Sequence, residues 1–199
     1  ESKLNGFLVS IIDSLCIDRG SYYSAGPITT YAYPEETTKK QILNIDGIEI
    51  ESYLNTIDED ANRFVIEREY NILKMYSNSS MLNAAWKRYY KMIYKDSYYR
   101  LRKVAFDIYN ELYPKVQEKH PQNTDFFFVQ KLLNWVQDFK YVRNFQNSDF
   151  SPMPVVLANG GSDCDSRAML LAILLNQMNY KTMVFVSPEY KHSFFGINI

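Results

Sequence analysis

Two residues in this sequence have types and a spacing suited to nucleophilic chemistry: Cys164 and, 28 positions later, His192. Cys164 follows the turn-forming run NGGSD at 159–163 and precedes AMLLAILL at 168–175, the most apolar stretch of the chain. A cysteine reacts as its thiolate, and the first turn of a helix favours that anion because unpaired backbone N–H groups point toward it. The pattern therefore predicts a thiol nucleophile at a helix start, with a strand histidine as its base.

The residues around Cys164 also predict how this helix begins. Ser162 is the expected N-cap and Asp165 completes a capping box, so Cys164 falls in the first turn. The glycines at 160–161 let the backbone turn sharply and leave room for a substrate. We expect the Cys164 sulfur to lie within about 4–5 Å of a His192 ring nitrogen. We also expect the pKa of Cys164 to lie below that of a free thiol.

Five segments together resemble the core of the transglutaminase-like superfamily, which has a papain-like fold. Bacterial members typically open a buried helix with a Gly-Asp-Cys-Asp type of motif and carry a histidine on the strand pair that follows. The resemblance implies that Cys164 is the nucleophile of a thiol acyl-transfer enzyme and that His192 is its base. The segments are WVQDFKY (135–141), PMP (152–154), GGSDCDS (160–166), LLAILL (170–175) and HSFFGI (192–197).

The resemblance favours a cysteine peptidase or amidase over a protein-glutamine acyltransferase, because bacterial members of the superfamily commonly act as hydrolases. Their third catalytic residue, an Asp or Asn, usually lies on the strand after the histidine. Asn198 shares a strand face with His192 but lies six residues along, about 20 Å away, and cannot orient the imidazole. The third catalytic residue is therefore unknown. Either the core continues beyond Ile199, or another segment supplies the residue, or the site is degenerate.

The alternative function is a catalytically inactive transglutaminase-like module that serves as a binding or scaffold domain. For an active site, we expect an oxyanion to be held by the Cys164 backbone N–H and by one side chain. Gln137, on the helix that precedes the cysteine helix, is the candidate, and Trp135 is the alternative. Each of these two residues also fits an ordinary structural role equally well, Trp135 in the core and Gln137 on the surface.

The elements that must position these residues predict an α+β fold. A strand and turn region at 1–55, with a hairpin at Asp46-Gly47, precedes helices from 56 to 140. These helices are expected to break at 78–80 and to weaken at 96–97, and Pro114 is expected to end the second helical region soon after Leu112. We divide the chain into residues 1–124, of unknown role, and a transglutaminase/papain-like core at 125–199. In that core, an irregular segment at 145–159 leads to a buried cysteine helix packed on an antiparallel sheet.

A basic run from Lys87 to Lys103 carries seven basic residues and one acid. We interpret it as a solvated helix face, with the opposite stripe of Trp86, Ile93, Leu101 and Ile108 buried. The alternative, a patch for nucleic acid or a membrane surface, is disfavoured because the net charge of the whole chain is −1. The side chains expected in solvent are Lys87, Lys91, Lys95 and Arg102.

Composition bounds the partners. A hydrophobic fraction of 46% supports a packed core, and no stretch is apolar enough to span a bilayer. The resemblance implies a protein or peptide substrate and no cofactor. The net charge of −1 gives no indication of nucleic acid. We expect no metal, because the two histidines and two cysteines are scattered. Cys16 is interpreted as a small buried residue, and a disulfide with Cys164 is the alternative. Because the chain begins at Glu1, we expect a processed or shortened polypeptide and favour an exported or cell-envelope location.

Overall fold

A computed structural model describes residues 38–55, 57–143, 148, 150–187, 189–190 and 192–199. The strand and turn predictions for residues 1–37, together with Cys16 and the residue at 56, lie outside the described residues. Helices and small sheets alternate along the rest of the chain, which confirms the α+β class. The elements are β1 (Thr38–Ile45), β2 (Ile48–Asn55), α1 (Ile57–Met75), α2 (Leu82–Arg100), α3 (Arg102–Lys119), α4 (Thr124–Gln137), β3 (Lys140–Tyr141), α5 (Met153–Asn159), β4 (Gly161–Ser162), α6 (Cys164–Gln177), β5 (Lys181–Ser187) and β6 (His192–Asn198).

The β1–β2 hairpin forms where the sequence predicts it. Asp46 and Gly47 both have positive φ, 54° and 77°, as a two-residue turn between twisted antiparallel strands requires. The register pairs Leu43 with Ile50, and both side chains are buried. β2 packs against α3, so the hairpin is tied to the helical part of the molecule.

Four long helices, α1 to α4, account for the predicted helical region, and the predicted break at 78–80 falls between α1 and α2. Ile93, Leu101 and Ile108 are fully buried, as the apolar stripe predicts. Trp86 is only partly buried, which corrects that prediction at one position. Its ring lies at the edge of α2, against Tyr89 and Tyr90.

The predicted weak spot at 96–97 is not a break. α2 continues through Asp96 and Ser97, and both side chains are buried. The Asn62 side-chain amide on α1 donates to Asp96 Oδ2 at 2.7 Å and to Ser97 Oγ at 3.0 Å. These polar residues therefore join two helices, because buried polar groups need hydrogen-bond partners.

The helix end predicted near Pro114 is also wrong, since α3 continues to Lys119. A proline inside a helix removes one backbone hydrogen bond and crowds the preceding turn. Here the proline faces solvent, and Leu112 and Val116 on either side of it are buried. Packing of that apolar face maintains the helix where local propensity would end it.

The basic run is only partly the solvated face that the sequence predicts. Lys87, Lys91 and Arg102 are exposed, but Lys95 is partly buried. Arg100, from the same run, is buried. Its guanidinium lies 2.5 Å from Asp58 Oδ1 on α1 and 2.7 Å from Asp96 Oδ1 on α2. One basic residue of the run is therefore an internal counter-ion.

The segment before the cysteine helix contains α5, where the sequence predicts irregular structure. Pro152 is its N-cap and Pro154 lies in its first turn, where a helix does not need the N–H that proline lacks. Gly160 ends α5 with a left-handed φ of 56°. β3 and β4 then pair in parallel, Lys140 with Gly161, which ties the end of α4 to the start of α6.

α6 lies at the centre of the core. Its residues 168–175 are all buried, and it packs against α2, α3, α4 and the β5–β6 hairpin. Phe195 and Ile197 of β6 pack on this side of the hairpin. Phe194 points to the opposite face, where it is exposed and stacks on Phe185 of β5. The two-stranded hairpin therefore packs on α6 with one face and exposes its other face to solvent.

Candidate functional site

Cys164 is the first residue of α6, so its predicted place in the first helical turn is confirmed. The cap lies one residue later than predicted, because Asp163 and not Ser162 is the N-cap. Asp163 has an extended backbone, and its Oδ1 accepts the Ser166 N–H at 2.9 Å. Ser162 is instead fully buried in β4. Its pairing in that strand takes it out of the capping position.

Asp165 does not complete a capping box, because its carboxylate is used in a contact between three elements. Its Oδ1 accepts the Tyr90 hydroxyl of α2 at 2.7 Å and also accepts the hydroxyl of Ser193 on β6. The Tyr90 and Ser193 oxygens lie 3.2 Å apart. Asp165, Tyr90 and Ser193 together hold the beginning of β6 against the beginning of α6.

Tyr90 and Ser193 are functional-site residues that the sequence did not predict. Tyr90 lies 75 residues from Asp165 in the chain, so only tertiary packing brings the two together. Burial and the negative charge of Asp165 raise the pKa of Tyr90 well above its ordinary range. The phenol is therefore a hydrogen-bond donor at any physiological pH. The position of Ser193 could have been noticed in the sequence. Neighbouring residues of a strand face opposite sides of the sheet, so Ser193 and His192 cannot both face α6.

The Cys164 thiol is free and partly buried. Burial is the main effect on it and raises its pKa, and the carboxylates of Asp165 and Asp163 raise it further. The backbone N–H groups of Ser193 and of Cys164 itself act in the opposite direction and lower it. The net pKa is raised. This direction is opposite to the one expected from a helix start, because burial and two neighbouring carboxylates outweigh the backbone N–H groups.

His192 is the first residue of β6 and is exposed. The hydrogen bond from the Ser193 hydroxyl to Asp165 brings the start of this strand to the start of α6, but the imidazole is not among the groups that act on the pKa of Cys164. The pairing of Cys164 with His192 stays a prediction. Asn198 is the last residue of the same strand, as far from His192 as β6 allows.

The two oxyanion candidates lie in the last turn of α4. Gln137 is exposed, and its backbone carbonyl accepts from Arg167 Nη1 at 3.2 Å. Trp135 is partly buried, and its ring meets the Phe139 ring edge to face at 5.1 Å. Arg167 also donates to the Phe139 carbonyl. Through Arg167, these contacts hold the end of α4 one turn beyond Cys164.

The described residues contain no group of three or more His, Cys, Asp or Glu side chains that could hold a metal ion. None of the helices traced within those residues combines the length and the apolar composition needed to cross a membrane. Comparison with known proteins finds no matching protein-family model, no significantly similar curated protein and no significantly similar solved structure.

Proposed function

We propose that this chain is a transglutaminase-like thiol acyl-transfer enzyme, a cysteine peptidase or amidase with Cys164 as nucleophile and His192 as base. One observation carries the proposal. Cys164 begins a capped, buried helix, and the hydroxyl of Ser193 on the adjacent strand donates to Asp165, the next residue of that helix. The strand that begins with His192 therefore lies at the thiol, which is the arrangement that the resemblance to the transglutaminase-like core implies.

The raised pKa of Cys164 determines which form of the mechanism we favour. At rest the thiol keeps its proton, so the base must act when the substrate carbonyl arrives. The His192 imidazole is exposed at the strand start, so its approach to the sulfur must accompany substrate binding. It then serves as a general base in each cycle, and no permanent thiolate–imidazolium pair is needed.

Acylation exchanges a C–N bond for a C–S bond. The imidazole removes the thiol proton while the sulfur attacks the carbonyl carbon, and the carbonyl electrons move to oxygen. That oxyanion is held by the Cys164 backbone N–H and by Gln137 or Trp135 as the second donor. When the C–N bond breaks, the leaving amine takes the proton from the imidazolium. The products are a free amine and a thioester on Cys164.

Deacylation repeats the cycle with water in place of the thiol. The imidazole takes a proton from water, hydroxide adds to the thioester, and the C–S bond breaks. The carboxylic acid leaves and the proton returns to the sulfur. An amine in place of water would give an amide, which is the transfer reaction. We favour a protein or peptide substrate, without nucleic acid and without a cofactor, in an exported or cell-envelope protein.

One observation favours the second function, an inactive binding or scaffold module. Burial and the carboxylates of Asp163 and Asp165 hold the thiol in its neutral form. A cysteine that is no longer a nucleophile would tolerate such neighbours without loss of function. The two functions therefore differ in whether His192 changes the reactivity of Cys164 toward an acyl donor.

The decisive experiment treats the full chain with p-nitrophenyl acetate and follows both p-nitrophenolate release and the intact mass. The enzyme should form an acetyl thioester at Cys164 and hydrolyse it over repeated turnovers. His192→Ala should slow the reaction by about 10²–10⁴-fold, the usual contribution of a general base. Cys164→Ser should abolish the thioester. His120→Ala is the matched control, because His120 is the other of the two histidines and stacks on Phe127.

An inactive module would behave differently. Its Cys164 would be acetylated once, no faster than an ordinary thiol, without turnover. His192→Ala and His120→Ala would then give the same rate as the parent, and the enzymatic proposal would be abandoned in favour of the module.

A further inference from the structure

A groove of about 610 Å³ runs between α2, α6 and β5, and we call it the α2–α6 groove. Its α2 side presents the rings of Trp86, Tyr90 and Tyr94. Met169 of α6 and Val184 of β5 continue the apolar lining. The volume lies within the range of about 300–1,000 Å³ that is usual for small-molecule sites, and such sites are largely apolar with a few polar groups.

Two lysines give the groove its charge. Lys87 and Lys91 both line it, and positions one helical turn apart have Cβ atoms about 5–6 Å from each other. No Asp or Glu is among the described residues that line the groove. A ligand with an apolar body and one anionic group would therefore contact rings and aliphatic side chains along its body, and its anionic group would contact the lysine ammonium groups.

We propose that the α2–α6 groove binds a small amphiphile with an aliphatic or aromatic body and a single carboxylate. Charge complementarity selects the carboxylate over a neutral or cationic head. Two lysines cannot cover the phosphates of a nucleic acid, and the net charge of the chain is −1. Tyr90 joins this groove to the thiol site, since its ring lines the groove and its hydroxyl contacts Asp165. Binding in the groove does not depend on acyl transfer at Cys164.

The test is calorimetric titration of the full chain with sodium octanoate, with octanol and octylammonium as neutral and cationic counterparts. Octanoate should bind more tightly than either counterpart. The double variant K87Q/K91Q should weaken octanoate by about tenfold or more, as expected for lost charge-assisted contacts, and should leave octanol unchanged. The charge reversal K87E/K91E should invert the order and favour octylammonium. Lys87 and Lys91 are exposed, so both variants should fold, which circular dichroism can check.

Two control variants test whether binding is specific to the groove lysines and independent of the thiol. K119Q removes an exposed lysine from the end of α3 and should leave octanoate binding unchanged. Cys164→Ala should also bind octanoate like the parent, so failure of the acyl-transfer proposal would not affect this result. Three outcomes would overturn the inference: no binding of octanoate, equal binding of octanoate and octanol with no effect of K87Q/K91Q, or tighter binding of an apolar tetrapeptide that is acetylated and amidated, and so carries no carboxylate, than of octanoate.

Discussion

Two polar clusters in this molecule are built on opposite electrostatic principles. The α1–α2 cluster places the Arg100 guanidinium between the carboxylates of Asp58 and Asp96, and all three side chains are buried. The thiol cluster places the Asp165 carboxylate beside Cys164 and holds it with the hydroxyls of Tyr90 and Ser193. In the first cluster a cation neutralises the negative charge of the carboxylates. In the second cluster the groups that contact the Asp165 carboxylate are neutral hydroxyl donors.

The pKa is raised in both clusters, but the charged partners act on it in opposite directions. Burial raises the pKa of Asp58, although Arg100 acts against that effect. In the thiol cluster the carboxylate charge is not cancelled by its hydroxyl partners, so it acts together with burial to raise the pKa of Cys164. A cation-centred cluster mainly joins helices. A carboxylate next to a thiol instead controls when that thiol loses its proton, which is a property suited to a reactive site.

The largest expected effect comes from breaking the α1–α2 cluster. Arg100→Met leaves two buried carboxylates without their guanidinium, which should lower the free energy of unfolding by about 3–5 kcal/mol. Denaturant unfolding measures the loss. Lys103→Met is the control: Lys103 pairs with Asp107 at 2.5 Å, but its side chain is 56% exposed, so the loss should not exceed about 1 kcal/mol. Equal losses for both variants would contradict the internal counter-ion role of Arg100.

A smaller effect is expected from the thiol cluster. Tyr90→Phe keeps the ring in the core and removes the hydroxyl that donates to Asp165, which should cost about 1–2 kcal/mol in the free energy of unfolding. Tyr99→Phe is the matched control on the same helix, because Tyr99 is 61% exposed. Its replacement should change stability by less than about 0.5 kcal/mol. If the two variants lose the same amount, the Tyr90–Asp165 contact does not stabilise the start of β6.

The smallest effect on stability, but a clear effect on reactivity, should come from Asp165→Asn. The amide oxygen can still accept both hydroxyls, while the negative charge is lost. Because Asp165 raises the pKa of Cys164, the variant should release the thiol proton at lower pH. The iodoacetamide reaction rate of Cys164 should therefore rise at lower pH than in the parent, whose own profile should lie above that of a free thiol.

Asp60→Asn serves as the control for this pH series, because Asp60 is exposed in the first turn of α1. Its alkylation profile should coincide with that of the parent. A parent profile below that of a free thiol would contradict the dominance of burial and carboxylates. It would indicate instead that His192 forms a standing ion pair with Cys164.

Local patterns predicted the elements of this fold well where one physical signal was strong. The hairpin at Asp46-Gly47 and the buried helix after Cys164 follow from turn conformation and from an uninterrupted apolar run. Prediction failed where packing overrode local preference. Pro114 lies inside α3, and the cap of α6 moved to Asp163 because Ser162 is taken up by a strand.

The transglutaminase-like resemblance of residues 125–199, the division of the chain at 124, and the roles of Gln137, Trp135 and His192 stay predictions. Their chemistry depends on distances between side chains at the moment of reaction. The proposed acetylation experiment measures that chemistry directly. The calorimetric test concerns the α2–α6 groove, which no sequence motif predicted.

By itself, the sequence determined that Cys164 begins a buried helix and that a strand starting at His192 follows it. Periodicity and helix-start residues act over a few positions, so they can be read along the chain. Only the tertiary structure decided what surrounds the sulfur. Tyr90 reaches Asp165 across 75 residues, and Ser193 also meets Asp165 because β6 packs against α6. The pKa of a group depends on burial and on charges within a few ångströms, whatever their separation in the chain.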